Sequence, residues 1–133
     1  MRPILTWFVD SEPVYNESFI GTYESTDTFE VNMKVINNYL GTEPIDSIKN
    51  GKLLVMFKDF EDGSLLNYMQ VHFDGSRPLP LEIVGNRGYV KIPRMLSGDY
   101  QYPADCTLSI KITFSQALNV RNDLKQLILD IVY

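Results

Sequence analysis

From Phe29 to Val35 apolar and polar positions alternate. Phe29, Val31, Met33 and Val35 fall on one side, and Glu30, Asn32 and Lys34 on the other. A period of two predicts a strand with one face in the core and one in water. Leu53, Val55 and Phe57 repeat the pattern, with Leu54, Met56 and Lys58 opposite. About fifteen residues separate the two segments, and Asn37-Asn38-Tyr39-Leu40-Gly41-Thr42-Glu43-Pro44 is too rich in turn residues to continue either strand. A connection of this length predicts a crossing from one sheet to another instead of a tight hairpin.

The rest of the chain reads in the same way. Ile4 to Val9 predicts a first strand, apolar on both faces except at Thr6. It can be a core strand in which Trp7 fills a gap, or an arm that pairs with another subunit's edge. Ser18 to Tyr23 predicts a short strand. Asp62-Gly63, between Phe57 and Leu65, predicts a hairpin turn. The following strand, Leu65 to Phe73, ends at Asp74-Gly75. Leu79 to Val84 and Tyr89 to Ile92 flank Gly85-Asn86-Arg87-Gly88 and predict a second hairpin. Residues 93–105 are irregular, and Thr107 to Phe114 is the cleanest alternation in the chain. In the tail, Ala117, Val120, Leu124, Leu127 and Ile131 fit a helical period, whereas Leu127, Leu129, Ile131 and Tyr133 fit a strand. The β-branched and aromatic ending predicts a final strand from Lys125 to Val132. Glycine and proline fall between the apolar runs, outside the expected central strands. The sum is an all-β fold, an immunoglobulin-like antiparallel β-sandwich of seven to nine strands, as a single domain over residues 1–133.

Composition narrows the function classes. A net charge of -5, with no run of basic residues, argues against nucleic-acid binding. The apolar run after Pro3 is too short for a secretion signal and is interrupted by Asp10 and Glu12, and no run reaches the length of a membrane span. Cys106 is the one cysteine, which excludes an intrachain disulfide and fits a reducing compartment. His72 is the one histidine, so neither a two-histidine metal site nor a histidine relay can be assembled. Asp59-Phe60-Glu61-Asp62-Gly63-Ser64 has a calcium loop's acidic residues, but Gly63 stands at the third ligand position and Met69 where a glutamate is needed. It reads as a charged hairpin tip, with calcium held there together with Asp27 or Glu24 left open. No catalytic, cofactor-binding or metal residues are assigned, and the expectation is a non-enzymatic protein. Tyrosines fall in the expected loops at Tyr15, Tyr39, Tyr100 and Tyr102, where they could offer rigid contact area or pack over their own loops. The candidate partner-binding residues are Leu5 and Trp7 in the first strand, and Tyr39, Tyr100 and Tyr102 in the loops.

A short apolar first strand is followed by Ile20-Gly21-Thr22-Tyr23, by Val31, Met33 and Val35 leading into Asn37-Asn38, and by Gly41-Thr42-Glu43. This arrangement, covering about the first 60 residues, resembles the immunoglobulin-like accessory modules of tailed-phage virions. The resemblance implies a structural role as a decoration, tail or baseplate component. The partners would be other structural proteins of an assembly, including further copies of the same chain, and the location would be the virion. A carbohydrate-binding or adhesion module that takes a glycan is a second expectation, although the one tryptophan lies in the most hydrophobic run. A cytoplasmic protein-binding adaptor is a third.

Overall fold

Alternation decides which residues form each layer. The structure, a computed structural model, describes residues 2–9, 12–14, 19–24, 29–57, 64–99, 101, 103–114 and 124–133. Its strands are β1 (Leu5–Val9), β2 (Glu12–Val14), β3 (Phe19–Glu24), β4 (Phe29–Asn37), β5 (Lys52–Phe57), β6 (Met69–Phe73), β7 (Glu82–Val84), β8 (Arg87–Lys91), β9 (Thr107–Phe114) and β10 (Leu124–Val132). Two five-stranded antiparallel sheets result, the first in the order β2-β1-β4-β9-β6 and the second in the order β3-β10-β5-β8-β7.

The core forms between the two inner faces. In the first sheet β4 contributes Val31, Met33 and Val35, and β9 contributes Leu108, Ile110, Ile112 and Phe114. Opposite them stand Leu53, Val55 and Phe57 of β5 and Leu127, Leu129 and Ile131 of β10. The Phe57 and Phe114 rings meet edge to face with centroids 6.4 Å apart, so the sheets are joined directly. β4 and β5 lie in different sheets, as their long separation predicts.

The loop between them makes that crossing through buried polar groups. Asn37 continues the inward parity of β4 and is fully buried. Its Oδ1 accepts from the Ile4 N–H at 3.0 Å, and its Nδ2 donates to the carbonyls of Asp46 (3.1 Å) and Ser97 (3.2 Å). Asn38 Nδ2 donates to the carbonyls of Glu43 and Gly98, both at 2.8 Å. The Ile48–Leu96 bridge lies beside these contacts. A Cβ at residue 98 would stand 2.1 Å from the Ile45 carbonyl oxygen, so only glycine fits there.

Four expectations are corrected. Asp62-Gly63 itself lies outside the described residues, and the strands on either side of it do not pair as a hairpin: β5 pairs with β10 and β8, while β6 pairs with β9 in the other sheet. The chain must change sheets between Phe57 and Met69, and Ser64–Tyr68 forms a 3-10 turn instead of the start of a strand. The second hairpin is tighter than expected, with Val84 opposite Arg87 and Gly85 at φ +63°, the pattern of a two-residue turn with glycine first. Leu79 stays behind with the first sheet, exchanging backbone hydrogen bonds with Val71. Glycine does enter strands: Gly88 lies in β8, where a Cβ would press on Leu81 at 3.0 Å. The tail from Leu124 is a strand, and residues 58–63 and 115–123 lie outside the described residues.

The helical content among the described residues is the Ser64–Tyr68 turn and a single α-turn, α1 (Pro103–Cys106). Replacing Ile110 by Ala should cost about 2–5 kcal/mol as a transfer and cavity loss. Replacing Asn37 by Ala should cost about 3 kcal/mol, because it breaks three partly buried hydrogen bonds, to one backbone N–H and two carbonyls. Urea unfolding of both variants checks this; an Asn37→Ala protein as stable as the parent would refute the polar tie.

Candidate attachment site

The turn that follows β4 carries the most exposed large apolar side chain among the described residues. The Asn38 carbonyl accepts from the Gly41 N–H at 3.1 Å, closing a four-residue turn around Tyr39 and Leu40. Leu40 occupies the second central position at φ +60°, where glycine or asparagine is usual. It is 83% exposed, Tyr39 43% and neighbouring Ile4 52%. The Asn38 N–H donates to the Ile4 carbonyl at 2.9 Å, so the start of the chain is held against the turn.

Phe8, on the outward face of β1, meets Tyr39 edge to face with centroids 4.9 Å apart. Ile36, Tyr39, Leu40, Pro103 and Thr107 are among the residues that line a groove of about 320 Å³. The result is an apolar surface at one end of the first sheet, built on a rigid base.

The structure places the candidate residues unequally. Trp7 is buried in the core and Leu5 is half-buried against it, both on the inward face of β1. Of the two readings of the first strand, the packed one therefore holds for Trp7. β1 is apolar on both faces because its second face, through Phe8, is covered by Tyr39 of the same chain. Tyr39 is at the surface as a contact residue must be, while Tyr100 and Tyr102 lie outside the described residues, as does the acidic segment before Ser64. Sequence reasoning missed Leu40 and Ile4. The signal available was a leucine inside a run of turn residues, next to a tyrosine.

The outward face of the second sheet is also apolar in part. Leu54, Met56 and Ile128 are half-buried on it, with Met56 opposite Ile128. Val84, Val132 and Tyr133 are exposed.

The candidate reactive groups sit in separate places. His72 is on the outward face of β6, with its Nδ1 3.0 Å from the Ser76 carbonyl oxygen. Cys106 is buried at the end of α1, its thiol donating to the Asp99 carbonyl at 3.1 Å. Arg94 grips Asp74 through two nitrogens (2.9 and 3.3 Å) and also donates to the Thr107 carbonyl, while Asp74 accepts from the Ser109 N–H at 3.2 Å. This clamp ties the turn after β6 to the start of β9. Among the described residues no group of three or more histidine, cysteine or acidic side chains is placed to hold a metal ion, and no helix is long and apolar enough to cross a membrane.

Burial pushes the Cys106 thiol above its ordinary value of 9.0, and the Asp99 and Asp105 carboxylates add to the rise against a lowering hydrogen bond from Ser97. A raised acid favours its neutral form in the folded state. The stability it confers is complete below the ordinary thiol value and is lost as pH rises through the raised one. The stability difference between the parent and Cys106→Ala should therefore shrink as pH is raised above 9.0, as measured by denaturant unfolding at a series of pH values. Comparison of the chain with protein-family models, with curated proteins and with solved structures finds no match.

Proposed function

We propose that this chain is a non-enzymatic attachment module, an immunoglobulin-like sandwich that docks on other structural proteins of a larger assembly in the manner of tailed-phage accessory modules. The observation that carries the reading is Leu40. A leucine held at positive φ costs about 1–2 kcal/mol in backbone strain, and its side chain stands almost wholly in water. Neither cost helps the isolated fold, and both are offset if a partner covers the side chain. Such local strain gathers at binding sites.

Support comes from three further features. Exposed Tyr39, of a residue type enriched at interface hot spots, adjoins Leu40 in the chain, and exposed Ile4 is tied through its carbonyl to Asn38 at the base of the same turn. The base of the turn is fixed by Asn38, so little ordering remains to be done on binding. Two antiparallel sheets around one core suit the immunoglobulin-like reading. The apolar outer face of the second sheet lacks such a strained anchor, which favours the Leu40 end as the attachment point.

Leu40→Gly separates stability from attachment. Removing the strain should leave the melting temperature equal to the parent's or higher, while binding to particles purified from the native source falls by about tenfold or more. Tyr39→Ala should weaken binding in the same direction. If Leu40→Gly attaches as well as the parent, the patch is not the attachment site. If mass spectrometry of those particles finds no trace of the chain, the virion reading fails as well.

A further inference from the structure

The outward face of the first sheet carries a second surface, which adjoins the attachment patch at Phe8. Across it runs an open groove of about 480 Å³, within the range of small-ligand sites. The register builds its floor in two rows. In one, Lys111 of β9 stands between Asn32 of β4 and His72 of β6. In the next, Lys34 of β4 stands between Phe8 of β1 and Ser109 of β9. Directly opposed Cβ atoms in such rows are about 5 Å apart and diagonal ones about 7–8 Å, which brings Lys34, Lys111 and His72 within reach of one ligand.

The charge of this cluster runs against that of the chain, whose net charge is -5. Glu30 offsets part of it, lying 4.0 Å from Lys111, but both side chains are well exposed and such a pair is weak. Asp74, at the turn beside the groove, is already held by Arg94. Among the described residues Lys34 has no carboxylate partner. Two ammonium groups on one sheet face repel one another unless an anion lies between them.

We infer that this groove binds an acidic oligosaccharide, with Lys34 and Lys111 meeting its anionic groups, Asn32 and Ser109 its hydroxyls, and Phe8 the apolar face of a sugar ring. The geometry favours a saccharide over an acidic peptide. β4 pairs on both sides, with β1 and β9, and β9 pairs with β4 and β6, so neither offers free backbone groups along which a peptide could add as a strand. What the face presents instead is side-chain amide, hydroxyl and ammonium groups beside one aromatic ring. The Ser76 carbonyl fixes His72 as a donor at Nδ1, leaving Nε2 for the ligand.

The test is calorimetric titration of the intact protein with oligogalacturonate as a carboxylate saccharide, heparin-derived oligosaccharide as a sulfate saccharide, a neutral cello-oligosaccharide and an oligoglutamate peptide. Binding of at least one acidic saccharide is expected, weakened by added salt and by about tenfold or more in a Lys34→Ala, Lys111→Ala double variant. Glu30→Gln, which removes the competing carboxylate, should tighten it. The two acidic saccharides distinguish carboxylate from sulfate recognition. Absence of binding to both, equal binding by parent and double variant, or oligoglutamate binding as tight as the best saccharide would each overturn the inference. Because these side chains face solvent, the variants should keep the parent's melting temperature.

Discussion

Two adjacent buried amides hold the end of the sandwich at which the chain leaves one sheet for the other. A connection that crosses between layers must pass its carbonyls and N–H groups over the rim of the core, where water cannot satisfy all of them. Asn37 and Asn38 supply the missing partners, reaching the start of the chain, the crossing loop and the segment before α1. Apolar residues at these positions would leave several loop groups unpaired at once. The same pair dictates the surface above it: Asn38, itself at φ +64°, opens the turn that pushes Leu40 outward. Core and candidate interface are thus two sides of one arrangement.

How much of this was legible in the sequence follows from where the side-chain period is undisturbed. β4, β5, β9 and β10 are read almost to the residue, because each has a buried face and a single register that hides it. Asp62-Gly63 misleads because a turn signal reports local backbone preference and carries no information about which sheet receives the next strand. The apolar neighbours of Trp7 allowed both a core and a contact reading, and its burial leaves the core one, whereas the outward projection of Leu40 was not legible, since φ is not written in composition. Asn37 could have been found: it continues the parity of Val31, Met33 and Val35, and an amide on that row has to be satisfied inside the protein.

The two outer faces differ in kind. On the first sheet, β4, β9 and β6 turn Asn32, Lys34, Ser109, Lys111 and His72 outward, while on the second, β5 and β10 turn out Leu54, Met56 and Ile128. A sheet needs only one apolar face to fold against its partner, so neither outer pattern is demanded by the core. Each is free to be used for something else.

The place of β10 has a consequence for how the molecule is made. It lies inside the second sheet, between β3 and β5, and its first residue pairs with Glu24, about a hundred residues earlier. During synthesis β3 has no neighbour in its sheet until the ribosome has passed Val132, whereas β1, β4 and β9 can assemble sooner. The place between β3 and β5 therefore stays empty until β10 arrives, leaving that part of the core open to aggregation or to a chaperone, and completion of the second sheet is a late, long-range step.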